Sequence, residues 1–166
     1  LPILHIERID DDIRYETTAF VSLEQSPLNA STVRGTHYLA ADGVSVCHAL
    51  TGAQQKAFEA IKDHELNRDE ETVLFCRIEA VNHAAVPRYA FFKTPYPQDN
   101  CGNPLAHGFD PTGGFGLEDK TGKVFAASTL DGTPLKQEEI AVLLRPGQRT
   151  VLEFCIPHVA ISAQRA

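Results

Sequence analysis

The residues whose types favour recognition are concentrated in one stretch, 95–116. It contains Tyr96, Asp99, Asn100, His107 and Asp110 among many turn-forming residues. The stretch shows no clear helix or strand pattern, and long irregular connections in compact domains are usually functional. Aromatic side chains are enriched at protein interfaces. The sequence therefore predicts that these five residues form the contact surface for a partner.

The same loop supplies oxygen ligands of the kind that calcium takes from irregular loops. Asp99, Asn100, Asn103 and Asp110 carry carboxylate or amide oxygens. Asp and Asn also favour turns for purely conformational reasons, and this is the stronger explanation of their presence. The sequence accordingly predicts no cofactor and no metal site. Structural calcium stays open only as part of an alternative, carbohydrate-binding function.

Local signatures of catalysis and nucleotide binding are absent from the sequence. It has no G-x-S-x-G elbow, no C-x-x-C pair, and no H-E-x-x-H among its seven histidines. The glycine-rich run 113–116 leads into a strand-like segment, where phosphate binding needs a helix N-terminus. We interpret this run as a bend or bulge with close backbone approach. An enzyme site assembled from dispersed residues, with His107 and Asp110, remains an alternative.

Four cysteines, at positions 47, 76, 101 and 155, allow two disulfides. Cys101 lies in a turn-rich segment, and an exposed free thiol is a liability. Cys76 lies on the apolar face of a predicted strand, so the favoured pair is Cys47 with Cys101. This disulfide, together with a glycosylation sequon at Asn29, favours a secreted protein in an extracellular or periplasmic location.

The composition excludes two classes of partner. The chain has 22 Asp and Glu residues but only 15 Lys and Arg residues, which gives a net charge of -7. Such an acidic chain lacks the cationic field that attracts phosphate backbones, so nucleic acid is not an expected partner. No apolar run approaches the roughly 20 residues that span a bilayer, so no membrane span is expected.

The elements that must position these residues follow a period of two. From Thr72 to Asn82, and again from Arg149 to Ile156, apolar residues alternate with mixed ones, as in half-buried strands. Turn signals such as Pro146–Gly147 separate many short candidate strands. We therefore predict an all-β fold, an antiparallel β-sandwich of immunoglobulin-like or jelly-roll-like type. The shorter candidate strands are 3–9, 17–23, 36–40, 44–48, 86–93, 115–119, 123–127 and 140–144.

One segment departs from this pattern and predicts a helix over 52–64. Thr51 and Gln54 match a capping box. Ala57, Phe58 and Ile61 then form an apolar stripe at helical spacing. We expect this single short helix to lie across an open end or face of the sandwich.

The chain is predicted to be one domain, 1–166, with a candidate internal boundary in the polar segment 67–71. In the remainder, a strand ending at Asn82 leads through Val86–Pro87 to another, and Pro146–Gly147 precedes the final strand. This order in 72–166 resembles the small immunoglobulin-like modules attached to secreted enzymes and adhesins.

The missing catalytic motifs and the long loop favour a non-catalytic binding or inhibitory module that recognises a protein partner. A carbohydrate-binding domain is the first alternative, with Tyr89 and Tyr96 as its candidate sugar-contacting rings. A small β-fold enzyme is the second. The acidic turn Asp10–Asp12 is a further candidate contact, for a basic partner.

Overall fold

The computed structural model describes residues 3–25, 70–99 and 101–166, together with seven positions between 52 and 63. Of the described residues, 56% lie in strands and 6% are helical. The strands are β1 (Leu4–Asp10), β2 (Ile13–Leu23), β3 (Thr72–Asn82), β4 (Arg88–Lys93), β5 (His107–Asp110), β6 (Phe115–Glu118), β7 (Val124–Leu130), β8 (Thr133–Pro134), β9 (Glu139–Leu144) and β10 (Arg149–Pro157).

The strands form two sheets. The large sheet has the order β1-β2-β3-β10-β7-β6-β5, and β8 pairs with β7 at its side. The small sheet consists of β4 and β9, which run antiparallel with Arg88 opposite Leu144 and Lys93 opposite Glu139. The antiparallel sheets pack together, so the predicted all-β, sandwich-like fold is confirmed.

The core contains apolar side chains from strands of both sheets. Alternate residues of β4 are buried, because successive side chains of a strand point to opposite faces. Phe92 from this strand contacts the edge of the Tyr15 ring from β2, with ring centroids 5.9 Å apart. The buried members of the core cluster are Ile13, Ala80, Ala90, Phe92, Leu135, Leu144 and Leu152.

The alternation in the sequence located most strands to within a few residues. β3 has the predicted bounds, and β10 extends one residue beyond its predicted end. The turn before β10 is also confirmed, since Gly147 has a φ of 72°. The strands predicted at 36–40 and 44–48 lie outside the described residues.

The predicted helix is present at the positions that the structure describes. Helical backbone occurs at Gly52, Ala53, Lys56, Ala57, Glu59, Ala60 and Asp63. Within the described part of the chain, no helix is both long and apolar enough to cross a membrane.

The chain divides into two compact units. The first is Val21–Val73, and the second combines Pro2–Phe20 with Leu74–Ala166. In the first unit, the Glu24 N–H donates to the Glu71 carbonyl at 2.9 Å, and the Gln25 N–H donates to Glu70 Oε1 at 2.8 Å. The single-domain assignment and the boundary near 67–71 stay predictions.

Candidate functional site

The predicted long loop contains regular structure. His107–Asp110 forms β5, which pairs with β6 so that His107 lies opposite Glu118 and Asp110 opposite Phe115. An isolated bridge also pairs Gln98 with Pro104. The expectation of a stretch without elements is therefore wrong. Three glycines in the four-residue segment 113–116 hid the hairpin, because glycine is depleted in strands.

Asp99 organises the first turn of this stretch. Its Oδ1 accepts hydrogen bonds from the N–H groups of Cys101 and Asn103, both at 2.8 Å, and its Oδ2 accepts one from the Asn103 side chain at 2.9 Å. These bonds, led by the Asn103 side chain, lower the pKa of Asp99. The carboxylate thus stabilises the turn, which is the conformational explanation of its presence.

Asp110 has the same kind of role at the tip of the β5–β6 hairpin. Its Oδ1 accepts a hydrogen bond from the Thr112 N–H at 2.8 Å, and its carbonyl accepts one from Gly114 at 2.9 Å. Gly114 has a φ of 71°, and the ladder between β6 and β7 shifts register after Gly116. The interpretation of the glycine-rich run as a bend or bulge is therefore confirmed.

His107 is held at both ring nitrogens. Nδ1 lies 2.9 Å from the Leu105 carbonyl oxygen, and Nε2 lies 2.6 Å from Glu138 Oε1. A carbonyl and a carboxylate both accept hydrogen bonds, so the two contacts together favour the protonated ring. The Leu105 carbonyl and then the Glu138 carboxylate raise the pKa of His107. Neither ring nitrogen is left to act as a base towards a substrate.

A line of rings and charges extends from His107 to the small sheet. The Tyr96 ring stacks on His107 with centroids 6.5 Å apart, and Lys93 Nζ lies 4.6 Å above the Tyr96 ring. Lys93 also pairs with Glu139 at 2.8 Å. On the other side, the edge of Phe125 meets His107 at 5.9 Å. These contacts connect β4 and β9 to the β5–β6 hairpin.

The predicted site residues are therefore only partly brought together. Tyr96 and His107 are in contact, whereas Asp99 and Asp110 each stabilise a separate turn. His107 and Asp110 are the first and last residues of β5, three positions apart, so their side chains leave opposite faces of the strand. Asn100 lies outside the described residues.

A further exposed apolar surface of the second unit lies outside the five predicted site residues, and we call it the β4–β9 outer face. Its centre is Tyr89, Phe91 and Leu143, which are 54%, 67% and 51% exposed. The rings of Tyr89 and Phe91 lie 6.3 Å apart. The alternation over 88–93 could have revealed it, because both faces of β4 are apolar and only one can face the core. Its members are Tyr89, Phe91, Lys93, Glu139, Ala141 and Leu143.

An open groove of about 400 Å³ lies at one end of this face, between Phe91 and the Lys93–Glu139 ion pair. The exposed side chains of Tyr89, Phe91 and Leu143 thus form an apolar centre, and the Lys93–Glu139 ion pair forms a charged border. This is the usual anatomy of a protein-binding surface.

The predicted Cys47–Cys101 disulfide is not formed. The Cys101 thiol is exposed and free, while Cys47 lies outside the described residues. The turn around Cys101 does not need a disulfide, because the hydrogen bonds of Asp99 already hold it without a covalent link. Cys76 and Cys155 are also free, and burial raises the pKa of both thiols.

The described residues contain no group of three or more His, Cys, Asp or Glu side chains suited to hold a metal ion. Comparison with family models, with curated proteins and with solved structures finds no match to this chain. Arguments about function therefore rest on the geometry above.

The His107 contacts predict a pH-dependent stability. Because the pKa of His107 is higher in the folded state, protonation of its ring stabilises the fold. This stabilisation is complete below the unfolded pKa of about 6.5 and is lost as the pH rises through the folded pKa of His107. We expect His107→Gln to reduce the free energy of unfolding more at acidic pH than at alkaline pH. Urea denaturation across this range measures the difference. A difference between wild type and variant that does not change with pH would contradict this.

Proposed function

We propose that this chain is a non-catalytic module that binds a protein partner, with the β4–β9 outer face as the centre of the contact surface and Tyr96 beside it. The observation that carries the proposal is the exposure of Tyr89, Phe91 and Leu143 on one face of a two-stranded sheet. Large exposed apolar side chains that lie together mark interaction sites.

The cross-strand register supports a continuous surface. Tyr89 lies opposite Leu143 and Phe91 opposite Ala141, so their side chains share the solvent face of the sheet. The hydrogen bond from the Phe91 N–H to the Tyr15 hydroxyl, 3.0 Å long, helps to fix β4. A rigid aromatic pair loses little conformational entropy on binding, which favours recognition.

The predicted loop residues fit this proposal in a smaller role. Tyr96 is half-buried and continues the surface through the Lys93 contact. Asp99 and Asp110 support the adjoining turns and need not touch the partner. An inhibitory function and a secreted location are further proposals, and both are compatible with this contact surface.

Phe91→Ala is expected to weaken partner binding by about 2 kcal/mol, or about 30-fold in Kd, as truncation of a central aromatic contact does. Tyr96→Ala, nearer the border, should cost about 1 kcal/mol. The matched control is Val159→Ala, whose side chain is 58% exposed and lies after β10, outside the face. Since Phe91 is largely exposed, the variant should fold normally.

The measurement has two stages. Immobilised wild type, Phe91→Ala and Val159→Ala are exposed to the same protein extract, and the proteins retained by wild type and control but lost by Phe91→Ala are purified. Calorimetric titration then gives the Kd for each variant. Retention that is insensitive to Phe91→Ala would overturn the proposal. Binding to a glycan panel that Tyr89→Ala abolishes would favour the carbohydrate-binding alternative.

A further inference from the structure

β1 is an unusually open edge of the large sheet. It lies at one end of the strand order, and all seven of its residues are exposed. Ile3, Leu4, Ile6 and Ile9 are 55%, 55%, 50% and 66% exposed. Natural edge strands are usually short, covered or heavily charged because open edges pair with other chains. An uncovered edge of seven residues that carries Leu4, Ile6 and Ile9 therefore needs an explanation.

The backbone of β1 offers a free ladder on its outer side. Asp10 pairs with Ile13 across the two-residue turn, and the register continues to Leu4 opposite Ala19. In such a hairpin the pair beside the turn is hydrogen-bonded and the bonded pairs then alternate. The N–H and C=O groups of His5, Glu7 and Ile9 consequently point away from β2. No strand among the described residues pairs with this edge.

We propose that β1 pairs antiparallel with β1 of a second copy of this chain, with Ile6 opposite Ile6 on a twofold axis. The axis is perpendicular to the sheet, so the paired side chains lie on the same face. His5 then lies opposite Glu7 of the second copy, and Ile3 opposite its Ile9. The pairing uses the backbone groups of His5, Glu7 and Ile9 that β2 leaves free.

The distribution of charge and apolar residues selects this register. Ile6–Ile6 and Ile3–Ile9 are apolar pairs, and at the His5–Glu7 pair an imidazole N–H can donate a hydrogen bond to a carboxylate. Moving the centre one residue along places Glu7 opposite Glu7, and moving it two along places Arg8 opposite Arg8. Like charges directly opposite each other destabilise a sheet. Moving the centre back to His5 places the two His5 rings opposite each other and loses the His5–Glu7 pair.

Sedimentation equilibrium tests the dimer. Wild type should show a reversible monomer–dimer equilibrium, and Ile6→Lys should raise its Kd about tenfold or more, because two lysines then meet on the axis. Val86→Lys is the matched control, since Val86 is 46% exposed and lies far from β1 in the chain. It should leave the Kd unchanged. A monomeric wild type, open-ended assembly, or equal effects of both variants would overturn the proposal.

Disulfide trapping tests the register. Directly opposite residues that are not hydrogen-bonded have Cα atoms about 4.5 Å apart, within the range that a disulfide spans. In a Cys101→Ser background, which removes the exposed native thiol, Ile6→Cys should form a covalent dimer on mild oxidation. Glu7→Cys should not, because it faces His5. Cross-linking through Glu7→Cys, or through neither variant, would contradict the register.

Discussion

Replacing Gly114 by alanine should reduce the free energy of unfolding by about 3–4 kcal/mol, among the largest effects of a single substitution in this chain. Gly114 has a φ of 71°, which is strained for any residue with a side chain. Its position is also enclosed. An added Cβ would overlap the Ser128 carbonyl oxygen and lie 2.8 Å from the Leu135 backbone nitrogen.

The clash would break a specific set of hydrogen bonds. The Ser128 N–H donates to the Gly114 carbonyl at 2.9 Å, and the Leu135 N–H donates to the Ser128 carbonyl at 3.0 Å. These bonds tie the β5–β6 hairpin to β7 and to the segment after β8. Since His107 lies on β5, its contact with Tyr96 should loosen as well.

Gly102→Ala is the matched control for this prediction. Gly102 has a φ of 83° but nothing within 4 Å of an added Cβ, so only the backbone strain applies. It should cost about 1 kcal/mol. Urea denaturation of both variants separates the steric effect from the conformational one. Equal losses of stability would show that Gly114 is not enclosed.

Asn82→Ala should cost about 3 kcal/mol, because it leaves three backbone groups without their partners, among them the buried carbonyl of Leu144. Asn82 is fully buried at the end of β3. Its side-chain amide donates to the carbonyls of Val86 and Leu144, both at 2.9 Å, and its Oδ1 accepts from the Ala84 N–H at 2.8 Å. The side chain therefore joins the large sheet to the end of β9 and to the segment before β4.

The control for Asn82→Ala is His83→Ala at the next, exposed position, which should change stability by no more than about 0.5 kcal/mol. Thermal and urea denaturation measure both. Because Asn82 holds Leu144 at the end of β9, the variant should also weaken partner binding through the β4–β9 outer face. A stability close to wild type for Asn82→Ala would show that water replaces the lost hydrogen bonds.

The sequence predicted the elements whose alternation is regular. β3 was located residue for residue because its eleven residues keep one apolar face without interruption. β5 was missed because its four residues combine His, Gly and Asp, which are typical of turns. Its strand conformation depends on pairing with β6, and the pairing of two strands does not show in the local sequence pattern.

The structure brings together only part of the predicted contact surface. Tyr96 and His107 are in contact, as expected for residues of one surface. Asp99 and Asp110 were predicted as site residues from their residue type, and aspartate is equally common in turns. The sequence does not show which of Phe91 and Phe92 packs in the core, because the two side chains are chemically alike. Only the register with β9 shows that Phe92 is buried and Phe91 exposed.

Footprinting by hydroxyl-radical oxidation tests directly whether partner binding covers the β4–β9 outer face. The oxidation rates of Tyr89, Phe91 and Leu143 would be compared in the free chain and in its complex with the partner. Val159 serves as an exposed reference. We expect the oxidation rates at all three positions to fall several-fold on binding, while the rate at Val159 stays unchanged. Protection confined to other positions, such as the Asp10–Asp12 turn, would contradict it.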